Sequence, residues 1–86
     1  MNLFESTKDK LKRTLGGLYN KYNYEIDHNT IKIWTKTRAF NITKVTIDAL
    51  KEINYKLFIV TLSNDKTKLF NGETTYKPML IFKEVL

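Results

Sequence analysis

Four side chains on alternate positions, Lys32, Trp34, Lys36 and Arg38, carry the most informative chemistry in the chain. Alternate residues of a β-strand project to one face, so these four share a side and Ile31, Ile33, Thr35 and Thr37 share the other. The isoleucines mark the core side. What remains is a stripe of cation, indole, cation, cation, with successive members roughly 6.6–6.8 Å apart. That repeat is close to the phosphate spacing of an extended nucleic-acid strand. An exposed indole gives a base a platform to stack on, and flanking cations neutralise phosphates. The stripe also fits two plainer roles. A single Trp can fill a core or subunit contact while neighbouring lysines lay their stems over it, and an exposed aromatic equally marks a protein interface.

A second basic group lies near the start of the chain: Lys8, Lys10, Lys12 and Arg13. Lys8 and Lys12 are one helical turn apart and form a cationic edge, which suits a solvated helix face or a phosphate contact. A membrane surface fits less well, because Glu5 and Asp9 interrupt the charge and the apolar face is needed for a core. Of the formal charge of +6, residues 1–22 contribute +3, residues 23–47 +2 and residues 48–86 +1. The excess therefore gathers on the first helix and around Trp34, and predicts one basic patch built from both. Part of it also follows from codon usage. Thirteen lysines stand against two arginines, beside eight asparagines and eight isoleucines. This bias suggests a low-GC genome, in which small reading frames of phage or mobile-element type are common.

Catalysis finds little support. The chain has no cysteine, which removes disulfides, thiolate metal sites and thiol nucleophiles together. Its one histidine, His28, falls at an expected hairpin tip beside Asp27. No paired carboxylates, metal-ligand cluster or nucleophile motif occurs, and Gly16-Gly17 follows a helix instead of opening one as a phosphate loop does. No metal and no cofactor are expected.

The elements that must position these residues follow from periodicity. Leu11, Leu15, Leu18, Tyr19 and Tyr22 repeat on one helical face, with Phe4 seven residues earlier. Asn2 with Glu5, or Ser6 with Asp9, has capping-box spacing. The two glycines then kink or end this helix, or let it approach the sheet closely. Residues 24–26 and 30–37 alternate around a turn at Asp27, His28 and Asn29, where Asn29 takes positive φ more easily than most residues do. A second helix begins with Thr46 as N-cap, has Val45 and Leu50 at hydrophobic-staple spacing, presents Ala49, Leu50 and Ile53 to the core, and stops at Asn54. Residues 55–62 are apolar on both faces, as in a central strand or one paired with another chain. Residues 63–66 read as a turn, Lys68 to Phe70 as a short strand, Asn71-Gly72 as a hairpin turn, and residues 79–85 as the last strand after an edge or break at Pro78. Residues 19–26 and 50–57 share a faint echo that hints at a repeated α-β-β unit.

The fold expected over residues 1–86 is a single two-layer α+β domain. It has an antiparallel sheet of four to five strands and two helices on one face, in the order α-β-β-α-β-β with one extra strand allowed. No apolar run approaches the roughly 20 residues of a membrane helix, and the N-terminal residues do not resemble a secretory signal, so a cytoplasmic location is expected and Asn41-Ile42-Thr43 is taken as a chance sequon. The function expected is non-enzymatic binding of nucleic acid, single strands in preference, through Lys32, Trp34, Lys36, Arg38, Lys12 and Lys8. The alternative is an adaptor or inhibitor that sets the same stripe against an acidic protein surface. A homodimer through residues 55–62 or an edge strand is a third reading.

Overall fold

The computed structural model describes residues 6–36 and 44–85. Ser6 caps the first helix, α1 (Thr7–Leu15): its Oγ accepts the Asp9 backbone N–H at 3.1 Å. Asp9 in the first turn and Lys12 and Arg13 in the last complement the helix dipole. Leu11 and Leu15 form the buried stripe. Gly16 then adopts φ 56°, a left-handed value that glycine reaches without a Cβ clash, and the α-helix ends. The chain continues as a 3₁₀ segment, Gly16–Lys21, so Leu18 and Tyr19 reach the core from a tighter turn and Tyr22 is already strand. Of the readings given for the two glycines, the early end of the helix is the one observed.

Two hairpins and a second helix complete the domain: β1 (Tyr22–Asp27), β2 (Thr30–Thr35), α2 (Lys44–Glu52), β3 (Tyr55–Lys68) and β4 (Thr74–Glu84). The strands form one antiparallel sheet in the order β1-β2-β4-β3. Two α-β-β units therefore meet through their second strands, in the expected element order and with four strands. Leu11 and Leu15 from α1 and Leu50 from α2 pack with Ile31 and Ile33 of β2, Leu80 and Phe82 of β4, and Tyr55 of β3. Alternation then sends Lys32, Trp34, Met79, Ile81 and Lys83 to the opposite face.

Several local expectations change. His28, and not Asn29, takes positive φ (46°) in the first hairpin. Asn54 is left-handed as expected, at φ 65°, and stops α2. Thr46 is no N-cap: α2 already includes Lys44, and Thr46 is buried with its Oγ1 2.7 Å from the Tyr22 hydroxyl. Val45 is exposed, so the staple does not form. The starts at Asn2 and Phe4, and the blurred stretch at Phe40 and Asn41, lie outside the described residues.

The largest change is in the second hairpin. Residues 63–66 are not a turn; β3 runs through them for 14 residues. The Ser63 hydroxyl holds the irregular stretch together by accepting the Asp65 N–H at 3.2 Å and donating to the Lys77 carbonyl at 3.0 Å. The reversal comes at Leu69 to Glu73, where Gly72 has φ 88° and Leu69 N–H donates to Glu73 C=O at 2.7 Å. Pro78 does not interrupt β4. It lies one residue beyond Trp34↔Met79, the last β2–β4 pair, where β4 keeps only β3 as neighbour. From there outward the hairpin is a two-stranded arm, and the described residues span 49 × 24 × 19 Å. Nor is β3 a central strand. It is an edge, and its apolar residues from Phe58 to Leu62 are exposed.

Candidate nucleic-acid interface

The face of the sheet opposite α1 and α2 has no element packed on it among the described residues. Cross-strand pairing defines its rows. Trp34 stands between Asn23 of β1 and Met79 of β4; Lys32 stands between Glu25 and Ile81; Lys83 stands between Thr30 and Lys56. Trp34 and Lys32 are half-buried on this surface, while Lys56 and Lys83 are exposed. The Lys83 ammonium lies 3.9 Å from the centroid of the Phe58 ring, a cation–π contact at the sheet edge.

The charge on this face is graded. β1 contributes Glu25 and Asp27, whereas β2, β4 and β3 contribute Lys32, Lys83 and Lys56. Lys32 partly spends its charge on Glu25, with Nζ–Oε1 at 3.8 Å, a partly exposed pair of small energetic weight. Lys56 and Lys83 face each other directly across the strands with no carboxylate between them. Like charges in that position repel, and a bound anion would relieve them.

The expected patch is divided by the fold. Lys12 is exposed on α1, in the helix layer, on the far side of the sheet from Trp34. Lys8 and Lys36, by contrast, line one open cleft of about 420 Å³ beside β1, with Tyr19, Asn20, Asn23 and Tyr24. Its aromatic wall is held by ring contacts and a hydrogen bond. The Tyr19 and Tyr24 rings stack at 4.8 Å, Tyr22 meets Tyr24 edge-on at 6.3 Å, and the Tyr24 hydroxyl donates to the Tyr19 carbonyl at 2.6 Å. Burial, reinforced by Tyr19 and Tyr22, pushes the Tyr24 phenol well above its usual range, so it stays a neutral donor. Arg38 and Thr37 lie outside the described residues. Of the cations that sequence reasoning missed, Lys83 could have been found by alternation along 79–83 and Lys56 by alternation along 55–57. Beyond Leu57 simple alternation fails, because a bulge at Phe58 shifts the register: Leu57 pairs with Phe82 but Ile59 with Ile81.

Beside Trp34 lies a second cleft of about 590 Å³, lined by Glu25, Lys32, Leu62, Ser63, Asp65 and Met79 among others. Lys77 closes one end of the arm here. Its ammonium is buried, donating to the Lys36 carbonyl at 2.8 Å and to Asp65 Oδ2 at 3.2 Å. Among the described residues no cluster of His, Asp or Glu could hold a metal ion, and no helix is long and apolar enough to cross a membrane. Compared with protein families, curated proteins and solved structures, the chain has no match.

Proposed function

We propose that this protein is a small non-enzymatic binder of single-stranded nucleic acid, which it holds across the uncovered sheet face. One observation carries the reading: the face left bare by both helices presents Trp34 together with Lys32, Lys56 and Lys83. Bases stack on the indole while the lysines take the phosphates, and Lys36 and Lys8 extend the path around the end of β2. An open sheet face with a partly exposed aromatic and cations favours a single strand over a duplex, whose bases are already stacked.

Fluorescence anisotropy with a labelled oligonucleotide at low salt tests this. Stacking quenches Trp34 emission. With about four phosphates engaged, the log–log salt slope is roughly −3. Trp34→Ala weakens binding about tenfold or more, and Lys83→Glu weakens it further at low salt than at high. Absence of binding at low salt, or binding unaffected by Trp34→Ala, removes the proposal.

A second reading is favoured by the cleft beside Trp34, whose Glu25 and Asp65 carboxylates repel phosphate while Met79 suits an apolar side chain. In this reading Trp34 anchors a protein partner. Pull-down with and without nuclease separates the two: a protein retained after nuclease supports the partner, and recovery of nucleic acid alone argues against it.

A further inference from the structure

The two edges of the sheet are treated differently. β1 carries Glu25 and Asp27, charges of the kind that keep an edge from pairing with another chain. β3 carries none between Leu57 and Leu62, and no proline or glycine. Within that stretch Phe58, Ile59, Val60 and Leu62 remain 61%, 49%, 57% and 56% exposed. The exposure is on both faces. Val60 pairs with Leu80 and Leu62 with Pro78 on the helix side, while Ile59 pairs with Ile81 on the bare side. A strand apolar on both faces, with one backbone edge that no strand pairs among the described residues, is the arrangement of an inner strand lacking its neighbour.

We propose that the outer edge of β3 pairs antiparallel with β3 of a second copy, joining the two four-stranded sheets into one of eight strands. A copy of this chain fits the edge on three counts. First, antiparallel partners share a face, so a two-fold axis through Val60 sets Val60 against its own copy and Ile59 against Thr61 on the bare side. Second, the charge is compatible. Each protomer carries +6, yet no lysine lies between Leu57 and Leu62, so the paired window brings no two lysines together. Third, the apolar surface lies along this edge: Phe58, Ile59, Val60 and Leu62 are each about half exposed or more, and a neighbouring strand would cover their outer sides. The bulge at Phe58 and the irregular stretch from Ser63 bound the regular window at both ends, and the acidic β1 edge stops further addition. The result is a closed dimer and not a fibre.

Sedimentation of the full chain over a concentration series up to about 100 μM tests this. The expected mass moves from 10.2 kDa toward twice that value. Val60→Lys puts a charge on the axis at an exposed site. It should abolish the dimer while circular dichroism stays unchanged. The chain has no cysteine, so Val60→Cys gives a second readout. Two such residues face each other at disulfide distance in the dimer and should cross-link at least about tenfold faster than Lys12→Cys on α1. A wild-type chain that stays monomeric, a dimer that survives Val60→Lys, or equal cross-linking at positions 60 and 12 overturns the proposal. Trp34→Ala should leave the dimer intact, so failure here and failure of nucleic-acid binding are read separately.

Discussion

The two α-β-β units share one order of elements and differ in how far a helix layer covers their hairpins. In the first, β1 and β2 have six residues each and turn through His28 and Asn29, and Tyr22, Ile31 and Ile33 are all buried. In the second, β3 and β4 have 14 and 11 residues. Helix α2 has nine residues, about 13 Å at 1.5 Å per residue, while 14 strand residues reach roughly 46 Å. The helix therefore covers about four strand residues. Tyr55 and Leu57 lie under it; Val60 and Leu62, on the same face, do not. Apolar sequence in a strand thus says that something should cover it. Whether the chain's own helix does so depends on relative lengths.

The sharpest way to break this comparison is to shorten apolar side chains in both regions. Phe82 is fully buried in the shared core, and Phe82→Ala should destabilise the protein by about 3–5 kcal/mol in urea unfolding. Val60→Ala should cost about 0.5 kcal/mol or less in dilute monomer, because little packing is lost. A Val60→Ala loss as large as that of Phe82 would mean that the second hairpin is covered after all. A loss that grows with protein concentration would belong to self-association.

This contrast also marks what the sequence made legible. Element order, the α+β class, the Ser6 cap, the Asn54 stop and the Asn71-Gly72 reversal all rest on short-range chemistry, namely capping spacing and positive-φ preference. The core side of β2 was legible because Ile31 and Ile33 alternate without interruption. What escaped rests on long-range geometry. Thr46 has the residue type of an N-cap, yet its hydroxyl serves Tyr22, 24 residues away in the chain. Ser63, Asn64 and Asp65 have the composition of a turn, but the Lys77 carbonyl opposite keeps them in a strand. The site was legible in part. Lys32 and Trp34 do share a face, whereas assigning Lys12 to it required knowing which side of the sheet α1 takes.

Lys77 fastens the arm to the body, and its loss should act on one hairpin only. Lys77→Met keeps most of the buried stem and removes the ammonium that joins Lys36 C=O to Asp65. A charged hydrogen bond of this kind contributes about 1.5–3 kcal/mol, here toward the lower end because Asp65 is partly exposed. Hydrogen exchange should show amides of Thr67, Thr75 and Tyr76 losing protection while Ile31 and Ile33 keep theirs. Equal loss in both hairpins would mean that the arm and body unfold as one unit.

A more modest effect than that of Phe82→Ala lies where the two units touch. The Tyr22 hydroxyl of the first unit and Thr46 Oγ1 of the second are buried 2.7 Å apart. Tyr22→Phe leaves the Thr46 hydroxyl without that partner and should cost about 1–2 kcal/mol, as should Thr46→Val. The double variant replaces both groups with apolar ones of similar shape, so it should cost much less than the sum of the two. Chemical denaturation of the four proteins closes the cycle. Additive losses would show that the hydrogen bond contributes nothing specific and that the β2–β4 ladder and apolar packing join the covered unit to the partly covered one without it. A large coupling would show that the Tyr22–Thr46 pair fixes where α2 lies, and with it how much of β3 is left bare.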